Sequence, residues 1–211
     1  MRFLLLLLLI TSIGCGSDET ADSTLTTGGD SQQQSNNDSA KETAVPADGA
    51  LNEAQVAELL AQHLGQWEGT SVFKGRDGEV QAEFPLTDSC RWIEEGKLIE
   101  MHVTEKSPQG DQEIIFTKWY DREQQRFLLT RRMASDPTTS KPGAYETFDA
   151  ATSTFHGTVT EGLADGASWT WTAQFIDQNK MITTGSFEQD GTVQVTRIDT
   201  FERVKPAAET P

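Results

Sequence analysis

Leu64-Gly65-Gln66-Trp67-Glu68-Gly69-Thr70 is where the hydrophobic period of this chain changes. Upstream, Leu51, Val56, Leu59, Leu60, His63 and Leu64 recur near helical spacing, which makes one apolar face on a short helix. Asn52 stands at the N-cap position and Glu53 puts an acid in the first turn, facing the positive end of the helix dipole. Gly65 supplies a residue that ends helices. Downstream the period is two. Val80, Ala82, Phe84 and Leu86 alternate with Glu79, Gln81 and Glu83, and Ile99, Met101 and Val103 with Glu100, His102 and Thr104. Phe127, Leu129, Arg131 and Met133 share one face, as do Trp169, Trp171, Ala173 and Phe175, and Val193, Val195, Arg197, Asp199 and Phe201. Such alternation marks half-buried antiparallel strands. By the same alternation Trp67, Gly69 and Ser71 face inward, opposite to Glu68 and Thr70.

Turn signals separate these runs, among them Gly75-Arg76-Asp77-Gly78, Glu95-Gly96-Lys97, Asp121-Arg122-Glu123-Gln124-Gln125, Asp165-Gly166 and Asp190-Gly191. Their spacing, without crossover helices, predicts about nine or ten strands in sequence-neighbour order. A meander that long must deal with its two edges, and closing into an up-and-down β-barrel does so. A two-sheet β-sandwich is the alternative fold.

The Gly-x-Trp of Gly65-Gln66-Trp67, after a short helix and at the head of the first strand, resembles the lipocalin and wider calycin barrels. In those barrels the tryptophan plugs the closed end. The longer Gly65-x-Trp67-x-Gly69 also resembles the opening of nitrobindin-type haem barrels. The likeness is greatest to uncharacterised bacterial proteins with a lipocalin-like fold, whose last strand ends in an aromatic and an arginine, as Phe201-Glu202-Arg203 does here. The resemblance covers about residues 55 to 204 and implies a lipocalin-like barrel over 51–211, with Gly65, Trp67, Gly69 and Arg203 at its floor. It further implies that Arg203 or Arg197 packs on Trp67. Nitrobindin-type barrels place a haem histidine close to the last strand, and Arg197 to Val204 contains none, so no cofactor is expected.

The amino terminus reads as an address. Arg2, a short apolar run from Phe3 to Ile10, and small residues before Cys15 form a secretory signal over 1–14, too short for a membrane-spanning helix. Ser12-Ile13-Gly14-Cys15 resembles the bacterial lipobox, departing from it at Ser12, and implies lipidation of Cys15. Acyl chains anchor by burying CH₂ groups at about 0.8 kcal/mol each. Residues 15–50 then form an acidic tether: no aromatics, seven acids, one lysine, and the polar run Ser31 to Ser39. Such composition has too little apolar surface to offset chain entropy, so disorder is expected there. The expected location is the cell envelope, lipid-anchored and facing the periplasm or the exterior. Gly16 after Cys15 favours the outer membrane by resemblance to enterobacterial sorting.

Charge and motifs restrict function further. The 211 residues carry 17 Lys and Arg against 33 Asp and Glu, a net charge of −16, which argues against a nucleic-acid partner. With Cys15 lipidated, Cys90 has no disulfide partner and reads as a small buried residue in a strand. His63, His102 and His156 show no metal-ligand spacing, and no nucleophile motif or phosphate-binding loop occurs. His156 is the histidine placed to reach an interior ligand, or else lies exposed on its strand. Arg131-Arg132 point to opposite faces, so one enters the barrel to meet an acidic ligand or Asp199, or forms a structural ion pair. Trp169 and Trp171, with Phe175 beyond, line a ligand cavity on one reading and are plain core on the other. The expected function is therefore binding of a small hydrophobic or amphipathic ligand by a membrane-anchored barrel. A filled barrel serving as a protein-interaction module is the alternative, and an enzyme ranks a distant third.

Overall fold

The computed structural model describes residues 50–108, 110–159 and 161–205, with backbone alone at 137–142. The segments read as signal peptide and tether, Cys15 among them, lie outside the described residues except for Ala50.

Helix α1 (Glu53–Ala61) is followed by ten strands: β1 (Gly65–Gly75), β2 (Val80–Glu94), β3 (Leu98–Ser107), β4 (Gly110–Asp121), β5 (Arg126–Met133), β6 (Asp136–Asp149), β7 (Thr154–Val159), β8 (Ala167–Asp177), β9 (Lys180–Gln189) and β10 (Thr192–Arg203). Each strand pairs antiparallel with the next, and β10 returns to β1, with Trp67 opposite Arg203 and Ser71 opposite Asp199. The sheet is a closed up-and-down barrel. The sandwich alternative falls because β1 and β10 pair with each other over nine residue pairs, leaving no edge to protect.

Asn52 caps α1 as expected, accepting from the Gln55 amide at 2.9 Å while the Gln55 side chain accepts from the Asn52 amide at 2.9 Å. The helix stops at Ala61, short of Gly65, because the His63 and Leu64 amides turn back onto the Leu60 and Ala61 carbonyls. Gly65 instead starts β1 at φ +109°, a conformation that suits glycine. Val56, Leu59 and Leu60 face one end of the barrel and pack with Ile99, Phe127 and Phe155, all buried. A second cluster joins Trp67, Leu86, Met181 and Phe201 to Phe73 and Phe84. α1 thus closes one end, here called the floor; the mouth lies at the opposite strand ends.

Gly69 has a different constraint. A Cβ there would collide with the Thr200 carbonyl oxygen, so only glycine lets β1 and β10 come this close at the seam.

Candidate functional site: the barrel interior

The floor is assembled around Trp67, which is 1% exposed. Its indole N–H donates to the His63 carbonyl at 2.9 Å, and the Arg203 guanidinium lies over its ring at 4.1 Å. Arg203 also donates to the Leu64 carbonyl, to Gln62 O at 3.0 Å and to Gln178 O at 2.8 Å. One side chain therefore satisfies carbonyls left open by the end of α1 and ties them to the β8–β9 turn. Arg197, the other arginine considered for Trp67, lies six residues before Arg203 on β10, toward the mouth, over Phe73 at 5.2 Å.

 The difference is one of register: Arg203 faces Trp67 across the seam, whereas Arg197 faces Phe73.

Above the floor, inward alternation carries charged side chains into the barrel. Lys118 on β4 is 1% exposed, and its ammonium pairs with Glu146 on β6 at 2.5 Å. It also lies 3.0 Å from His63 Nε2 and 3.8 Å from the centre of the Phe155 ring. An ammonium only donates, so His63 accepts through Nε2. Burial first, then the Lys118 and Arg203 charges, hold the His63 pKa well below its ordinary value, which keeps the imidazole neutral. Burial also lowers the Lys118 pKa, with Glu146 opposing the shift. Trp171 completes this group by donating its indole N–H to Glu146 at 2.6 Å.

A second polar group crosses the interior nearer the mouth. Arg197 donates through Nε to both Asp199 oxygens at 2.8 and 2.9 Å and reaches Glu105 on β3 at 2.7 Å. The Ser71 hydroxyl donates to Asp199 at 2.6 Å. Asp88 differs from these carboxylates. Its Oδ1 is buried without a hydrogen-bond partner among the described residues, and burial pushes its pKa up to about 7. Neighbouring Cys90 is pushed up to about 12, first by burial and then by Asp88, so it is an unreactive thiol.

Lining of the mouth half differs from that of the floor. Trp169, Trp171, Phe187, Val195, Arg131 and Met133 all belong to inward-facing positions, yet each stays only half-buried. Each of the two indoles packs over a glycine. Trp171 fills the space a Gly157 Cβ would take, and Trp169 comes within 3.0 Å of a Cβ built on Gly185. An open depression of about 420 Å³ lies at the rim, lined by Asp111, Gln112, Glu113, Met133, Ala134 and Ser135, and Trp169, Trp171 and Arg131 do not border it.

The positions singled out in the sequence therefore separate. Trp169, Trp171 and Arg131 lie on the inner wall of the mouth half. Phe175 does not join them: it belongs to the floor, 5.0 Å from the His63 ring and 6.2 Å from Trp67. Arg131 enters the barrel while Arg132 stays outside, 3.2 Å from Glu100. Asp199 is not the partner of Arg131, because Arg197 and Ser71 already hold it. His156 is exposed on the outer face and cannot reach the interior. His102 is also outside, between Glu100 at 2.9 Å and Glu113 at 3.1 Å, and these acids raise its pKa. Pattern alone does not single out Lys118, Glu146, Glu105 and Asp88. The available signal was their place in phase with apolar inward residues, as in Ile114, Phe116, Lys118 and Tyr120 on β4.

No family model and no curated protein matches this chain. Solved structures do match it. The S-type phycobiliprotein lyase CPES from Guillardia theta superposes with a TM-score of 0.53 at 12% identity, covering 77% of this chain and 98% of its own. A protein of unknown function from the DUF3598 family of Nostoc punctiforme aligns at 10% identity and a TM-score of 0.24, over 70% of this chain and 98% of its own. EF1p2_mFAP2b bound to DFHBI aligns at 9% identity and a TM-score of 0.36, over 71% of this chain and 99% of its own. At these identities the likeness concerns the fold. The fold is a closed, ten-stranded up-and-down barrel with one helix at its floor.

Proposed function

We propose that this protein is a lipid-anchored, extracytoplasmic barrel that binds a small hydrophobic or amphipathic ligand in the mouth half of its interior. The observation that carries this reading is the contrast between the floor and the β8–β9 wall of the mouth half. Leu60, Ile99, Phe127 and Phe155 at the floor are 0% exposed, whereas the inward Trp169, Trp171 and Phe187 toward the mouth stay half-buried. Small-molecule sites combine apolar walls with a few polar groups, which is the composition of this lining. Lys118, His63 and Glu146 pair with one another above the floor and are read as structural, so the reading is one of binding. The anchor is supported by Ser12-Ile13-Gly14-Cys15 and by the acidic, aromatic-free stretch after it.

Titration with the neutral fluorescent probe N-phenyl-1-naphthylamine tests the binding reading, using the full chain with Cys15→Ser so that no detergent is needed. Trp169→Ala and Trp171→Ala are each expected to weaken binding by about fivefold, the worth of one aromatic contact. Trp169→Ala is the cleaner variant, because Trp171 also bonds Glu146. Unchanged affinity in both variants would leave the filled-barrel interaction module as the better reading. For the anchor, fractionation of cells expressing Cys15→Ser is expected to move the protein from the membrane to the soluble fraction. A variant that stays membrane-bound after signal cleavage places the anchor elsewhere.

A further inference from the structure

We propose that the ligand is an amphipathic anion whose acidic head, a carboxylate, sulfonate or phosphate, is held by Arg131; this rests on the ligand-binding reading above. Two guanidinium groups enter the mouth half, and they differ in what they meet. Arg197 is neutralised by Asp199 at 2.8 Å and Glu105 at 2.7 Å. Arg131, on the same inner face as Leu129 and Met133, meets only the Met133 sulfur, at 4.0 Å. No carboxylate among the described residues lies within 4.0 Å of it. Glu105 acts on Arg131 through its field, but that carboxylate bridges to Arg197. Across the β5–β6 pairing, the residue in register with Arg131 is Lys141, another base.

Half-buried Arg131 loses part of its hydration, and the attraction of Glu105, already bridged to Arg197, offsets that loss only in part. In a chain of net charge −16, acids to pair with it are plentiful, yet among the described residues no ion pair to Arg131 forms. A guanidinium offers a planar fork of donors that matches the oxygens of an acidic head, and Phe116, Leu129 and Met133 provide apolar surface beside it. The geometry therefore suits an anion delivered from outside on an apolar body.

The test compares two probes with the same aromatic body: 8-anilino-1-naphthalenesulfonate, which carries a sulfonate, and N-phenyl-1-naphthylamine, which does not. Each is titrated into the full chain with Cys15→Ser, alone or combined with Arg131→Gln or Arg131→Lys. Arg131→Gln is expected to weaken sulfonate binding by about tenfold or more, the worth of a charge-assisted hydrogen bond, and neutral-probe binding by less than about twofold. Arg131→Lys should recover part of the loss. The thermal midpoint of Arg131→Gln should equal or exceed that of the parent, since no ion pair is broken. Equal losses for both probes, no loss for the sulfonate, or a lowered midpoint overturn the headgroup assignment. Neutral-probe binding that persists alongside such a result leaves the ligand-binding reading standing, whereas failure of both probes to bind the parent removes both.

Discussion

Replacing Trp67 with alanine is expected to remove about 3–5 kcal/mol of stability, the usual loss for truncating a buried aromatic. That is a large share of the roughly 5–15 kcal/mol that holds a domain together. Three interactions end with the indole. The His63 carbonyl loses its donor at 2.9 Å, Arg203 loses the ring beneath it, and Phe175 loses a neighbour at 6.2 Å. The Arg203 contacts to Gln62 and Gln178 are then held by a side chain that no longer rests on anything. Urea denaturation checks the expectation: the midpoint should fall steeply. An unchanged midpoint would overturn the assignment of Trp67 as the residue that closes the floor.

Lys118→Met is expected to cost a similar amount for an electrostatic reason. The substitution leaves Glu146 buried without its cation, and breaking one half of a buried pair typically costs about 3–5 kcal/mol. Trp171 continues to donate to one Glu146 oxygen but brings no charge. Removing the acid as well, in Lys118→Met with Glu146→Gln, should return much of the lost stability, because the uncompensated charge is gone. The double-mutant cycle is the measurement, read from denaturation midpoints of all four proteins. Losses that simply add would show that the 2.5 Å contact does not couple the two side chains.

How much of this was legible in the sequence depends on what each feature requires. Period two needs only the strand geometry of successive residues, so the inward faces of Trp67, Gly69 and Ser71, of Trp169 and Trp171, and of Arg131 follow from order along the chain. The capped helix before Gly65 is equally local. Alternation also predicts the meander, and with it about nine or ten strands.

Closure is not local. Period two shows which face of a strand is buried, but not whether the last strand returns to the first. Alternation is therefore compatible with barrel and sandwich alike, and the pairing of Trp67 with Arg203 selects the barrel. The same pairing selected Arg203 over Arg197 as the cation on the indole, since register depends on partners more than a hundred residues apart. The buried charges show the limit most clearly. A lysine or glutamate in a strand ordinarily marks the solvent face, and only closure brings Lys118 and Glu146, or Arg197 and Glu105, together across an interior. Sequence by itself determined the periodic elements and their inward faces, because those arise from near neighbours on the chain. The tertiary structure alone decided the closed seam, the paired interior charges and the unpaired Arg131, because desolvation and ion pairing depend on atoms that meet only when the barrel closes.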